Sequence, residues 1–262
     1  MLMLNGGSAP NVLHALSIAA CLALMVAVCP AAVLDLTDSE SSGSVGEAVF
    51  MQFSTDQATG SGVIDSFVRA QANDEEAGIN ILDPLEFDTK SGAFTRALAL
   101  SDVPLVTMHG VAYREFAFDI NEPNGGKSLL SLDSLKIHVE DTSTMVGYPT
   151  SFSAPVYDLD GIEETWIKLD AANSAGSGRL DMLAFIPSEL LGTDLSKFVY
   201  LYFECGLNEA SDGGFEEWAV SAYGPFAPEP SSCLLLLVAG AGLLAKRRSR
   251  KATLVATKRS CP

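Results

Sequence analysis

The sequence predicts an all-β fold: a single antiparallel β-sandwich, jelly-roll-like, flanked by an N-terminal signal helix and a C-terminal transmembrane helix. Three observations predict it. Between Val49 and Val220, short segments with period-2 apolar alternation recur, enriched in β-branched and aromatic residues. Turn signals separate them, at Gly60-Ser-Gly62, Glu122-Pro-Asn-Gly-Gly126, Asn173-Ser-Ala-Gly-Ser-Gly178 and Asp212-Gly-Gly214. Both ends of the chain are apolar and carry no acidic residue after Pro230 or before Asp35, unlike the segment between.

The elements follow in order. Residues 33–48 are polar and acidic and read as a flexible lead-in. Val49–Phe53 and Gly62–Ala70 are strands. Arg114–Ile120 places Phe116, Phe118 and Ile120 on one face, with Glu115 and Asp119 opposite. Leu135–Val139 and Leu180–Met182 alternate in the same way. Phe198–Phe203 is apolar on both faces and reads as a central strand, and Glu216–Val220 closes the set. One short helix is expected over 187–191, with Pro187 at its first position and Gly192 as its stop. No repeat of 20–50 residues occurs. A segment this long can bury a full core without staples. It has to, because Cys205 is the only thiol between Val33 and Pro230. Its place at the end of the most apolar strand predicts a buried, inert thiol.

The 262 residues carry a net charge of −17, unevenly distributed. Residues 33–230 hold all 33 acidic residues and 9 basic ones, a balance of −24, whereas residues 231–262 hold 7 basic residues and no acid. A basic footprint for nucleic acid is absent from the central segment, so a nucleic-acid partner is excluded. Val12–Val28 is an Ala/Leu-rich apolar run, followed by Cys29-Pro-Ala-Ala32 with small residues flanking a cleavage point after Ala31. That is the pattern of a secretory signal peptide over 1–32, although no Lys or Arg precedes it. An uncleaved anchor or a buried helix is the alternative.

The C-terminal end has three parts. Pro228, Glu229 and Pro230 form an extended acidic tripeptide, followed by Ser231. Residues 231–245 are the apolar segment, in which Cys233–Ala245 is a Leu/Ala/Gly run of 13 residues, shorter than the about 20 of a relaxed membrane span. Lys246, Arg247, Arg248, Arg250 and Lys251 are a basic stop that stays cytoplasmic. This places residues 33–230 outside the cytoplasm. The tail resembles the PEP-CTERM sorting signal of exported bacterial proteins. The resemblance implies processing by a membrane-embedded, transpeptidase-like exosortase. Ala227 stands where that family commonly has Val, and the basic tail 252–262 is longer than usual. The division is therefore 1–32 signal, 33–48 lead-in, 49–226 β-sandwich domain, 227–251 sorting segment and 252–262 tail.

The central segment offers little chemistry. His109 and His138 are its only histidines, and no zinc spacing occurs. His138 alternates with Ile137 and Val139 and is expected to face solvent; His109 precedes Gly110 in a turn. No nucleophile elbow is present, so no catalytic residue is assigned. Residues 121–128 mimic the end of a phosphate loop but read as a hairpin turn. Asp158, Asp160 and Glu164 around Gly161 are the candidate metal ligands, and calcium is the one cofactor they suit. Aligned as an EF-hand, the loop puts Val156 and Ile167 at ligating positions, so it is not one. Trp166, Trp218 and Tyr223 are the candidate ligand-binding aromatics, placed near strand ends where a glycan could stack.

These readings lead to an expectation about function: an exported, surface-sorted structural or adhesive protein of the envelope or extracellular polysaccharide matrix. It is expected to be non-catalytic and to meet the membrane through its C-terminal segment. The alternatives are an extracellular carbohydrate-active enzyme of glycosidase type and a simple single-pass membrane-anchored ectodomain.

Overall fold

The computed structural model describes residues 31–53, 64–122, 128–161, 164–174 and 179–220. The chain divides into two units, 1–30 and 31–262, and all described residues belong to the second. Among them are sixteen strands: β1 Ala32–Asp35, β2 Ser42–Val45, β3 Ala48–Gln52, β4 Asp65–Ala70, β5 Asn73–Asp74, β6 Glu76–Ile79, β7 Leu98–Ala99, β8 Leu105–Met108, β9 Val111–Asp119, β10 Leu129–Glu140, β11 Tyr157–Asp158, β12 Thr165–Asp170, β13 Met182–Pro187, β14 Phe198–Cys205, β15 Ser211–Asp212 and β16 Glu216–Val220. One sheet runs β1-β12-β10-β14-β6, with β11 also on β10 and β7 on β14. The other runs β2-β3-β13-β9-β16-β4, with β8 on β9. β5 and β15 form a small third sheet. Pairing is antiparallel except between β1 and β12. The all-β, antiparallel expectation therefore holds. The signal and C-terminal helices lie outside the described residues, and no described helix is long and apolar enough to cross a membrane.

The two large sheets share one core. Phe50, Phe116, Phe118, Met182, Ala184 and Trp218 come from the second sheet; Leu130, Leu132, Leu135, Ile137, Leu201 and Phe203 come from the first. Alternation explains the choice, because every second side chain of a strand points to the same face. On β10 the parity of the inward row changes from 130 and 132 to 135 and 137, across a bulge between Leu132 and Ser134. Trp218 stacks on Phe118 at 4.5 Å and 18°, and Phe203 meets both rings. Each such fully buried side chain contributes about 1.5–3 kcal/mol.

Several strands match their prediction closely: β3, β9 and β16 sit where the period-2 segments were read, and β14 where the run apolar on both faces was. Residues 33–48, read as flexible, instead carry β1 and β2. Main-chain pairing with β12 and β3 holds them, and Leu36 is wholly buried. Composition underestimates such edge strands because ladder hydrogen bonds do not depend on side-chain polarity. The hairpin expected at 121–128 is not one. β9 and β10 belong to different sheets, so they are not the two arms of a hairpin. Two amphipathic strands that face a common core show the same alternation whether they pair or oppose each other. The helix α1 spans Ser188–Leu191, with Pro187 as its N-cap rather than its first residue and Gly192 at φ +79° as its stop. His109 (φ 51°) and Gly110 (φ 86°) form the two-residue turn of the β8–β9 hairpin, where Met108 pairs with Val111.

Candidate functional site

Three inward rows end in carboxylates at one end of the core. On β9 the row Phe116, Phe118, Ile120 continues to Glu122, just past the strand. On β16 Trp218 is followed inward by Glu216. On β6 Gly78 is followed by Glu76, which pairs across the ladder with Cys205 of β14. Glu216 is 0%, Glu76 3% and Glu122 5% exposed. Gly78 has to lack a side chain, since a Cβ there would lie 2.6 Å from the Phe203 ring. The small β5–β15 sheet lies against this end. Ala72 donates its N–H to Glu76 Oε2 at 2.8 Å, and Asp212 donates its N–H to both oxygens of Glu122 at 3.1 and 2.9 Å. Gly206, at φ +94°, passes so close that a Cβ would meet the Asp74 carbonyl at 1.8 Å.

Burial governs the electrostatics here. Leaving water disfavours the charged form, so the Glu76, Glu122 and Glu216 carboxyls are all pushed above the usual carboxylate range. Glu216 is pushed furthest, by burial and then by the neighbouring Glu76. The Cys205 thiol, wholly enclosed, is also raised well above its ordinary value, first by burial and then by the surrounding acids. It is a free, buried thiol held in its neutral form, as its strand position predicted. Glu76 and Cys205 also line an open cleft of about 230 Å³ whose other walls include Glu75, Asp88 and Glu204. The arrangement therefore joins an acidic mouth to buried carboxyl groups.

The sequence candidates fall elsewhere. Asp158 and Asp160 lie at the turn after β11. Asp158 Oδ1 accepts the Asp160 N–H at 3.1 Å and its Oδ2 lies 3.6 Å from Lys136 Nζ; Asp160 Oδ1 accepts the Thr165 N–H at 3.2 Å. Burial raises the Asp160 carboxyl. Glu164 is exposed. Two of the three candidates are thus engaged in shaping the turn, and Lys136 already balances one. Asp158 also borders a second cleft, of about 220 Å³, between β1 and β2. Among the described residues, no group of three or more His, Cys, Asp or Glu side chains is arranged to hold a metal ion.

Trp218 is not a surface aromatic. It is 0% exposed in the core, where its inward parity on β16 places it. Trp166 stands half-buried on the outer face of β12. Tyr223, the sorting residues 228–231 and the basic stop 246–251 lie outside the described residues. His138, expected at the surface, is only 2% exposed. It does point away from the core, as its alternation requires, but the segment 141–156 folds over it. Its Nδ1 donates to the Ser153 carbonyl at 2.9 Å, and Tyr148 and Phe152 meet its ring edge-on. Strand alternation gives the direction of a side chain, not what later covers it.

The buried carboxylates went unassigned in the sequence, although a signal for two of them exists. Continuing the period-2 rows by one step places Glu122 two residues past Ile120 and Glu216 two residues before Trp218, on the apolar side. An acid on an inward row is the informative exception to burial rules. Searches of known families, curated proteins and solved structures found no match for this chain.

Proposed function

We propose that this chain is an exported, surface-sorted, non-catalytic protein with a structural or adhesive role in the envelope or an extracellular polysaccharide matrix. In the finer architecture we propose, a jelly-roll-like β-sandwich domain, which takes in β1 and β2 and so begins at Ala32 rather than at 49, runs to 226 between an N-terminal signal helix and a C-terminal membrane segment. The observation that carries this reading is the succession of three parts in the C-terminal sequence: Pro228-Glu229-Pro230, then the apolar run to Ala245, then five basic residues within 246–251. That order can enter lipid and stop there with its cationic flank inside. A second support is the position of β1, which starts at Ala32, the first residue after the proposed cleavage point.

The acidic body would stay soluble and repel other anionic chains unless a cation bridges them. A glycosidase would need two carboxylates roughly 5–10 Å apart in an open site, with an aromatic such as Trp166, Trp218 or Tyr223 for the sugar to stack on. Trp218 is committed to the core, so that alternative loses one of its three aromatic candidates. Mass spectrometry of the mature termini tests the proposal. Loss of everything beyond the Pro228–Pro230 region supports sorting; an intact Pro262 contradicts it and favours a plain membrane-anchored ectodomain. Protease shaving of living cells gives the second check, since a body shielded in the cytosol would sink the export reading.

A further inference from the structure

Glu76 and Glu216 approach from opposite sheets until their carboxyl groups are within hydrogen-bonding reach of each other. Beyond that mutual contact and the main chain of Glu216 itself, no group donates to either oxygen of Glu216 or to Oε1 of Glu76. An ionised carboxylate only accepts, so such a pair in a layer without water must be closed either by a shared proton or by a cation between the two. No described Lys or Arg forms an ion pair with either residue. We propose that Glu76 and Glu216 hold a divalent cation of the calcium type between the two sheets.

The surroundings fit a hard, oxygen-seeking ion. A Cβ placed on Gly214 would lie 2.2 Å from the Asn121 carbonyl oxygen and 3.4 Å from Glu216 Oε1. These two oxygens therefore converge beside a residue that contributes no side chain. Glu122 adds negative potential from the third row. Zinc would call for nitrogen or sulfur ligands. The two described histidines lie away from this end, His138 under the segment 141–156 and His109 in the β8–β9 turn, and the thiol that is here, Cys205, is wholly buried and held in its neutral form. Calcium accepts irregular shells of 6–8 oxygens, which suits two carboxylates completed by main-chain carbonyls and water. No third side chain closes the shell, consistent with the lack of any three-residue metal cluster among the described residues. The cleft lined by Glu75, Glu76, Asp88 and Glu204 gives the ion an entry path, and its field draws cations in.

The test uses the full-length chain, with Ca²⁺ as the only probe. Its melting temperature is compared in chelator and in excess Ca²⁺, for the unaltered protein and for Glu76→Gln, Glu216→Gln and Asp160→Ala. The expected result is a rise of several degrees in the unaltered protein and in Asp160→Ala, and none in either Gln variant. Both Gln variants should melt in chelator at or above the unaltered protein, because each removes one charge of a repelling pair. An independent readout needs no change at the carboxylates. Trp218 lies two residues from Glu216, about 7 Å along the strand. In a Trp166→Phe background, excitation of Trp218 should sensitise the emission of Tb³⁺ bound in place of Ca²⁺. No rise in the unaltered protein overturns the proposal and leaves the pair closed by a shared proton. A rise lost in Asp160→Ala but kept in Glu216→Gln also overturns it, by placing the ion in the 158–161 turn.

Discussion

Replacing Trp218 by alanine separates a core role from a ligand-binding one. The indole is 0% exposed, stacked at 4.5 Å on Phe118 and tilted against Phe203 at 6.3 Å. Its removal takes away both ring contacts and leaves a cavity between the sheets. Truncating a buried aromatic to alanine costs about 3–5 kcal/mol. For a domain of this size each kcal/mol moves Tm by about 2–4 °C, so the loss is on the order of 10 °C. Trp218→Phe keeps the stack and costs less, about 1.5 kcal/mol or below if the neighbours close in. The assay is thermal unfolding followed by circular dichroism. Trp166→Phe serves as a companion that isolates the Trp218 fluorescence, and this should be blue-shifted in the native state. If Trp218→Ala melts within a degree of the unaltered protein, or if its emission is that of an indole in water, the core assignment is wrong.

Other consequences are as direct. Gly206→Ala should destabilise strongly, or prevent folding, because the new Cβ would meet the Asp74 carbonyl at 1.8 Å in a left-handed backbone; Gly46→Ala, also at positive φ but with open space around it, should lose about 1 kcal/mol. Chemical denaturation of the two variants ranks them, and equal losses would count against the close approach. Asp133→Ala should cost several kcal/mol, because Asp133 accepts from Ser131 Oγ, Leu207 N and Asn208 Nδ2, each at 2.7 Å, and these bonds would be lost, with only Ser131 Oγ keeping a second acceptor in the Glu209 carbonyl at 3.3 Å. A loss below about 1 kcal/mol, typical of a surface substitution, would show that water replaces the carboxylate. Asp181 is held well above the usual carboxylate range, chiefly by burial. A raised folded-state value means its contribution is full below the unfolded value and is lost as pH rises through the folded one. Asp181→Asn should therefore gain stability relative to the unaltered protein as pH is raised from acid toward neutrality. A difference that stays constant with pH would show that Asp181 titrates normally.

The limits of legibility in this chain have identifiable causes. Phe116, Phe118 and Ile120 were readable as an inward row because alternation is a property of the strand itself. The same periodicity could not show that β9 and β10 lie in different sheets, since pairing and opposition look alike along one strand. Polar composition concealed β1 and β2, which are held through the main chain. Trp218 and His138 resembled surface residues for other reasons, one by its place near a strand end and the other by its place on the outward row of β10 with Lys136. The candidate site was half visible: Glu122 and Glu216 continue their rows by one step, whereas Glu76 sits in the short Glu76–Ile79 strand, whose Ala and Gly give almost no pattern.

Taken alone, the amino-acid order determined the β character, the acidic body, the apolar and basic ends, and the burial of Cys205, because each follows from local composition or from period-2 geometry. Only the tertiary structure decided that three acidic side chains meet at one end of the core and that two of them face each other from separate sheets. Glu76 and Glu216 are 140 residues apart in the chain. Their encounter depends on which strands oppose which, and no local pattern carries that information.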